Sequence, residues 1–282
     1  MAEIAAAQVM ALRAETDLPM MECKQALVAC NGEKAAALDW LAKKHKGKME
    51  SRSDRETGEG AVAIHIEPGE QTGAIIEVQC ETAPVAKNEQ FQELLADMAR
   101  AVATGTESTP SVETVKAMTI AGSDTTVGEK LADVYGRLRE TMNIGVCRRV
   151  TGEYLTSYIH HDNKSGILIS LSHRPQNEAV GRDLCMHALF SKPMAISRDD
   201  MPADQIEKVR KLADEMAREQ GKPDTIVAKI VDGKVNAFLA ENSLHDQQHV
   251  NAELYGKKPI SEILSDTGVE RVVDMAIVLV GV

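Results

Sequence analysis

The clearest change of pattern along the chain is a strand followed by a turn and a helix. Residues 74–80 are mostly apolar and β-branched, which predicts a buried strand. Asn88 is a suitable N-cap for a helix, and Phe91 begins an apolar series at helical spacing. Residues 81–86 between them are expected to form a turn, because Pro84 lacks a backbone N–H and disfavours helix at the residue before it. Turns at strand ends commonly carry function, so this turn is the first candidate site.

Short apolar series near the amino terminus predict a small helical unit. Residues 1–46 contain three such series, separated by turn residues such as Asn31 and Gly32. A unit of this size buries little of its surface and is marginally stable by itself. It either binds another protein or packs on the rest of the chain. Residues 47–60 have one apolar side chain, Met49, and therefore predict a solvated linker.

The strand and helix pattern then occurs twice, which predicts an α+β fold. Residues 61–145 contain a β-hairpin followed by helices, one of which is predicted over residues 127–138. Residues 146–282 repeat a hairpin and helix of similar length, beginning with a strand-like series at residues 146–159. We therefore expect two related subdomains side by side, each presenting a turn.

The second subdomain contains an insertion with a different pattern. Residues 199–242 hold two amphipathic helical series, broken at residues 221–223 by Gly-Lys-Pro. This predicts an antiparallel helical hairpin that projects from the body of the protein. Its apolar face would either pack on the body or mediate a homodimer.

Composition and charge narrow the function classes. The chain has 282 residues, of which 43% are hydrophobic and 27% charged, as in ordinary globular proteins. A net charge of −11 and an aromatic content of 3% argue against nucleic acid as a partner. The five cysteines are dispersed without a C-x-x-C pair, which predicts reduced thiols. We expect no signal peptide and no membrane segment, and therefore a cytoplasmic protein.

Two groups of histidines are candidates for a metal site, and the first of them, His245 and His249, could serve a metal-dependent hydrolase. His245 and His249 would share one face of a helix and could bind zinc, but the polar residues around them indicate a loop. His160 and His161 are adjacent and would point to opposite faces of a strand. The chain also has no phosphate-binding loop, dinucleotide fingerprint or nucleophile elbow. These observations predict no enzyme, no cofactor and no metal site.

Motifs spaced along almost the whole chain resemble the bacterial translation elongation factor Ts family. The series I-I-E-V-x-C-x-T-x-x-V-A-K-x-x-x-F, from Ile75, resembles the family signature, with Ala83 and Pro84 in place of the usual Asp-Phe. The series L-R-x-x-T-x-x-x-M-M-x-C-K-x-A-L, from Leu12, is similar to the family's amino-terminal module, which has a ubiquitin-associated-like fold. S-Y-I-H, ending at His160, resembles a third family motif.

The resemblance implies a guanine-nucleotide exchange factor that binds elongation factor Tu carrying GDP and holds no nucleotide itself. It implies that one turn enters the GTPase near its magnesium site, and that His160 in a second turn contacts the same partner. The residues of the first turn are Thr82, Ala83, Pro84 and Val85. The partner-facing residues of the amino-terminal module would be Leu12, Arg13, Met20, Met21, Cys23 and Lys24.

The replaced residues in the first turn leave alternatives open. Ala83 has no carboxylate and Pro84 has no aromatic ring, so exchange would have to proceed through the rest of the interface. The first alternative is a non-exchanging, Tu-binding or chaperone-like paralogue. The second, from another class, is the histidine-metal hydrolase.

Overall fold

The computed structural model of the chain describes residues 4–50 and 55–281. Residues 51–54, in the middle of the predicted linker, lie outside the described residues. Over the described ranges the elements are twelve α-helices, one 3₁₀ helix and six β-strands in two sheets. None of the described helices combines the length and the apolarity that crossing a bilayer requires.

Three helices form the amino-terminal module: α1 (Ala6–Thr16), α2 (Met20–Ala29) and α3 (Lys34–Glu50). Their inward side chains make one apolar cluster. Helix α3 continues past residue 46, so the prediction that the linker begins at residue 47 is wrong. Met49 explains the difference, because its side chain is buried in the core of the unit that follows and favours another turn of helix.

The first unit is a three-stranded antiparallel sheet covered by helices. Its strands, in sheet order, are β1 (Glu59–Ile66), β2 (Thr72–Cys80) and β3 (Met142–Thr151). Its helices are α4 (Ala83–Ala86), α5 (Glu89–Thr104), α6 (Val112–Ala117) and α7 (Val127–Leu138). Helix α5 begins as predicted, since the Asn88 side chain accepts a hydrogen bond from the Gln90 amide at 2.9 Å. The buried face of α5, with Phe91 fully covered, packs on the sheet in the largest core of the protein.

The second unit repeats this arrangement with a second antiparallel sheet. Its strands, in sheet order, are β4 (Tyr154–Ile159), β5 (Ser165–Leu171) and β6 (Val272–Leu279). Its helices are α8 (Ala179–Ser191), α9 (Ala203–Glu219), α10 (Asp224–Asn242), α11 (Ala252–Tyr255) and α12 (Ile260–Asp266), with a 3₁₀ helix at Leu244–Asp246. Helix α8 packs on β4 and β5, as α5 packs on β1 and β2.

The predicted strand-like series at residues 146–159 is not one strand. It is divided between β3 in the first sheet and β4 in the second, and the predicted subdomain boundary at residue 145 falls inside β3. Gly152 allows the chain to cross between sheets, since a Cβ at this position would collide with the Ser170 hydroxyl. The Gly152 amide donates to the Gln71 carbonyl at 3.0 Å, which holds the crossing against the β1–β2 hairpin.

The two sheets pack face to face through a shared apolar layer. The first sheet contributes Val62, Ile75 and Val150, and the second contributes Leu155, Leu168, Ala276 and Val278. All seven side chains are buried. The two units therefore share one interior in addition to the core that each sheet forms with its own helices.

Helices α9 and α10 form the predicted antiparallel hairpin. They pack on each other through a separate apolar cluster that includes Ala213, Val231 and Val235. Other side chains of α9 are open to solvent, with Leu212 59% and Met216 51% exposed. The α+β fold with a helical module, two related sheet units and a helical hairpin is therefore confirmed.

Candidate partner-binding face

The predicted turn after β2 is a single turn of helix, α4. The Ala86 amide donates to the Thr82 carbonyl at 3.1 Å, and the Lys87 amide donates to the Ala83 carbonyl at 3.2 Å. Pro84 was expected to disfavour helix at Ala83, but Ala83 is the first residue of α4. Pro84 lies in the first helical turn, where backbone N–H groups have no partner within the helix, so its missing N–H costs nothing.

Residues 82–85, which we call the exchange segment after the role that the family resemblance implies for them, expose part of their surface to solvent. Thr82 and Pro84 are exposed, whereas Ala83 and Val85 are half-buried. Ala86, directly after the segment, is buried in the core of the first unit. The Pro84 ring therefore points to solvent, on a backbone that the buried Ala86 anchors to the core of the first unit.

The exchange segment is held by residues that sequence reasoning missed. Glu140 accepts two hydrogen bonds from Thr82, from the amide at 3.0 Å and from the hydroxyl at 2.7 Å. The neighbouring Thr141 amide donates to Glu81 at 2.8 Å. This bond, together with Arg55 at 3.2 Å, lowers the pKa of the Glu81 carboxyl. Glu140 lies 58 residues after Thr82 along the chain, and no local pattern connects the two.

His160 lies in a second tight turn, which joins β4 to β5 at residues 160–164. The His160 amide donates to the Ser165 carbonyl at 2.9 Å, and Asn163 adopts the left-handed conformation at φ 59° that closes the turn. The His160 Nδ1 atom lies 3.2 Å from the Tyr158 hydroxyl. Its ring lies against that of His161, with 4.2 Å between the ring centroids. This environment leaves the His160 ring half-buried, in a defined orientation.

The structure brings the exchange segment and the second turn to the same end of β1. Glu59, the first residue of β1, is paired with Cys80, the last residue of β2 before the segment, and α4 contacts β1. The second turn also contacts β1. The Val62 amide donates to the Asn163 carbonyl at 2.8 Å, and Lys164 forms an ion pair with Glu59 at 2.6 Å. One face of the protein therefore carries both turns.

The candidate residues of the amino-terminal module divide into two groups. Leu12 and Cys23 are fully buried in the core of the module, so the prediction that they face a partner is wrong. Arg13, Lys24, Met20 and Met21 are exposed, with Met20 47% and Met21 65% accessible. Met10 is 62% exposed, and sequence reasoning also missed it. Apolar surface of this kind is typical of a protein-binding site.

A charge cluster connects the module to the first unit, with Glu22 and His45 buried and Lys44 and Arg139 at its more exposed edge. Lys44 and His45 each lie 3.2 Å from the Glu22 carboxylate, and Arg139 of the first unit also donates to it. Burial opposes ionisation of Glu22, but these hydrogen bonds outweigh it and lower the pKa to about 2. Burial also lowers the pKa of His45, so its ring is neutral at pH 7.

The histidines proposed for a metal-dependent hydrolase have structural partners. His245 lies in the 3₁₀ helix, and its Nε2 atom accepts from the Val272 amide at 3.2 Å. His249 lies outside any helix, donates to the Asp183 carbonyl at 3.1 Å and accepts from the Asn251 amide at 3.0 Å. The idea that they share a helical face is wrong, and the loop interpretation is confirmed. Within residues 4–50 and 55–281, no three His, Cys, Asp or Glu side chains are grouped to hold a metal ion.

Comparisons with known proteins agree with this architecture. The profile of the family described as Elongation factor TS matches residues 81–282. The chain is 38% identical over 265 residues to elongation factor Ts of Burkholderia thailandensis strain E264, which covers 94% of this chain and 86% of that protein. It is also 38% identical over 274 residues to elongation factor Ts of Burkholderia mallei strain NCTC 10229, covering 96% and 89%.

The fold and these matches define a translation elongation factor, which acts in protein biosynthesis. The chain belongs to the elongation factor Ts family.

Proposed function

We propose that the protein is a guanine-nucleotide exchange factor, which binds elongation factor Tu carrying GDP and promotes release of the nucleotide. The observation that supports this proposal is the common position of the exchange segment and the second turn at the start of β1. A protein surface that reaches this face meets two rigid projections at once. The chain itself would catalyse no covalent reaction and hold no cofactor, and we expect it to work in the cytoplasm without binding nucleic acid.

The exchange segment would act by displacing groups around the bound phosphate and magnesium of the partner. Mg²⁺ bridges nucleotide phosphates and protein ligands, so moving either weakens GDP binding. Ala83 supplies no acid for this purpose, which leaves the exposed Pro84 ring and the helical backbone below it as the displacing groups. The coupling is reciprocal, because a protein that weakens GDP binding is itself bound less tightly by the GDP-loaded partner.

The other contacts would supply affinity. His160 projects from the second turn of the same face, and its orientation is fixed by Tyr158. In the module, the exposed Met20 and Met21 provide apolar surface, and Arg13 and Lys24 provide charge. The module contacts lie on a separate set of helices, so they would add to binding without touching the nucleotide site.

The test is release of fluorescent GDP from elongation factor Tu of the same organism, with and without this protein. We expect strong acceleration at sub-stoichiometric amounts, because an exchange factor is released and acts again. Binding without acceleration would contradict the proposal and favour the non-exchanging paralogue.

A specific observation supports that second candidate: the exchange segment lacks both an acid and an aromatic ring at positions 83 and 84. The pair Ala83→Asp with Pro84→Phe separates the two candidates. If the native segment is fully competent, the double variant should exchange at the same rate as the unsubstituted chain. A large gain in rate would show that the native segment is impaired.

A further inference from the structure

Three consecutive residues, 139–141, contact both parts of the protein that would meet the partner. Arg139 bonds to Glu22 in the amino-terminal module, Glu140 bonds to Thr82, and the Thr141 amide bonds to Glu81. We propose that residues 139–141 are a positioning segment, which fixes the module relative to the exchange segment so that both engage one partner together. This inference rests on the proposed function.

The positioning segment is itself anchored. Helix α7 ends at Leu138, and Arg139 caps it in the left-handed conformation at φ 64°, with its amide donating to the Tyr135 carbonyl at 2.8 Å. Tyr135 is buried in the core of the first unit. Strand β3 begins at Met142, which is also buried. The segment is therefore held at both ends by the core, and its side chains leave from a fixed backbone.

On the module side, the contact reaches the helix that carries the exposed methionines. Glu22 follows Met20 and Met21 directly on α2 and is itself buried. When Arg139 is removed, Glu22 keeps Lys44 and His45 at 3.2 Å, so no charge is left unpaired inside the module. Removing Arg139 thus takes away one contact between the module and the first unit and leaves the other members of the charge cluster paired.

On the other side, the contact reaches the base of the exchange segment. Thr82 is the N-cap of α4, yet its side chain makes no capping bond to the helix and donates to Glu140 instead. The two Thr82 bonds and the Glu81 bond therefore attach the residues that precede α4 to the positioning segment. None of these three bonds is made to the helix. Bonds to a carboxylate fix orientation and are stronger than bonds between neutral groups.

The benefit of such a segment is geometric. Two contact surfaces on one chain reinforce each other only when their separation matches the separation of their targets. A fixed separation also removes the ordering cost that a mobile module would add on binding. Loss of Arg139 should therefore weaken binding, and loss of the Glu140 carboxylate should slow the exchange step.

The experiment measures GDP release from elongation factor Tu over a range of concentrations of the full chain, for Arg139→Met, Arg139→Lys and Glu140→Gln. Asp133→Asn is the matched control, because it also converts a carboxylate to an amide, and Asp133 pairs with Arg137 within α7 at 3.0 Å. Arg139→Met should raise the half-saturating concentration about tenfold and change the maximal rate less than about twofold. Arg139→Lys keeps one charged donor and should recover most of the affinity.

Glu140→Gln should lower the maximal rate about fivefold with a smaller effect on half-saturation, since both Thr82 bonds lose the negative charge that strengthens them. A structural defect would instead lower the active fraction, so thermal melting of each variant is measured in parallel. Combining Arg139→Met with Met21→Ala tests the module directly. The Met21 effect on half-saturation should shrink in the Arg139→Met background, because a module that has lost this contact no longer holds that residue at a fixed separation.

Three outcomes overturn the inference. Exchange by Arg139→Met and Glu140→Gln that matches the Asp133→Asn control shows that residues 139–141 position nothing. Fully additive effects of Met21→Ala and Arg139→Met show that the module binds independently of its docking. If the unsubstituted chain fails to accelerate GDP release, the proposed function itself fails and the inference falls with it, whereas the first two outcomes leave the proposed function intact.

Discussion

Gly136 controls how closely the amino-terminal module approaches the first unit. It lies in α7, opposite His45 of α3, and a Cβ at this position would lie 2.5 Å from the His45 Cε1 atom and 3.0 Å from Cγ. Carbon atoms in ordinary contact are about 3.5–4.0 Å apart, so Gly136→Ala must move the ring by about 1 Å. The His45 ring cannot move freely, because it is buried and bonded to Glu22.

The free-energy cost can be obtained by comparison with a second helical glycine. Gly233 lies in α10 and has no atom within 4 Å of the position a Cβ would occupy. Gly→Ala in an open helix stabilises by about 1 kcal/mol, and this gain applies equally at both sites. Overpacking a buried site costs about 1–3 kcal/mol. We therefore expect Gly136→Ala to be less stable than Gly233→Ala by about 1–3 kcal/mol.

The assay is urea unfolding of both variants, followed by far-ultraviolet circular dichroism and by fluorescence. The chain has one tryptophan, Trp40, which lies in α3 and reports on the module, whereas circular dichroism reports on all helices. We expect the Gly136→Ala destabilisation to be larger in the fluorescence signal. If both substitutions stabilise the protein equally, the close packing of α3 on α7 is refuted.

Three further predictions concern other parts of the protein. Burial and the nearby His249 lower the pKa of His187 to about 4 from its ordinary 6.5. Between these two pH values the unfolded chain therefore binds more protons than the folded chain. The stability that is present above pH 6.5 is lost as the pH falls. Urea unfolding at pH 7 and pH 5 should differ by about 2 kcal/mol, and equal values would contradict this. Cys30 is half-buried while the other four thiols are buried, so a thiol reagent at pH 8 should modify one cysteine rapidly; a second fast thiol would contradict this. If the exposed side of α9 forms the predicted homodimer, Leu212→Glu with Met216→Glu should produce monomers in light scattering, and a native chain that is already monomeric would refute the dimer.

Local patterns predicted the elements whose causes are local. Helix α7 spans residues 127–138 as expected, because Thr126 and Glu129 form a capping box and the apolar residues keep helical spacing. The N-cap at Asn88 was predicted for the same kind of reason. Each of these signals lies within a few residues of the feature it produces, so one sequence is enough to detect it.

Several of the errors arose where distant contacts decide the outcome. Helix α3 is extended by a contact of Met49 with the next unit, and Gly152 divides a strand-like series because Ser170 of the other sheet lies opposite. Glu140 reaches Thr82 across 58 positions of the chain. For the module, family resemblance identified the correct motif, but it could not show that Cys23 points inward.

The shared apolar layer between the sheets has a mechanical consequence. Val62 of β1 and Leu168 of β5 belong to the same buried layer, so no hinge lies between the sheet that carries the exchange segment and the sheet that carries His160. If the exchange segment and His160 contact one GTPase, they do so at a fixed separation. Any movement that accompanies nucleotide release would then take place in the GTPase, because the shared buried layer joins the two turns of this chain into one body.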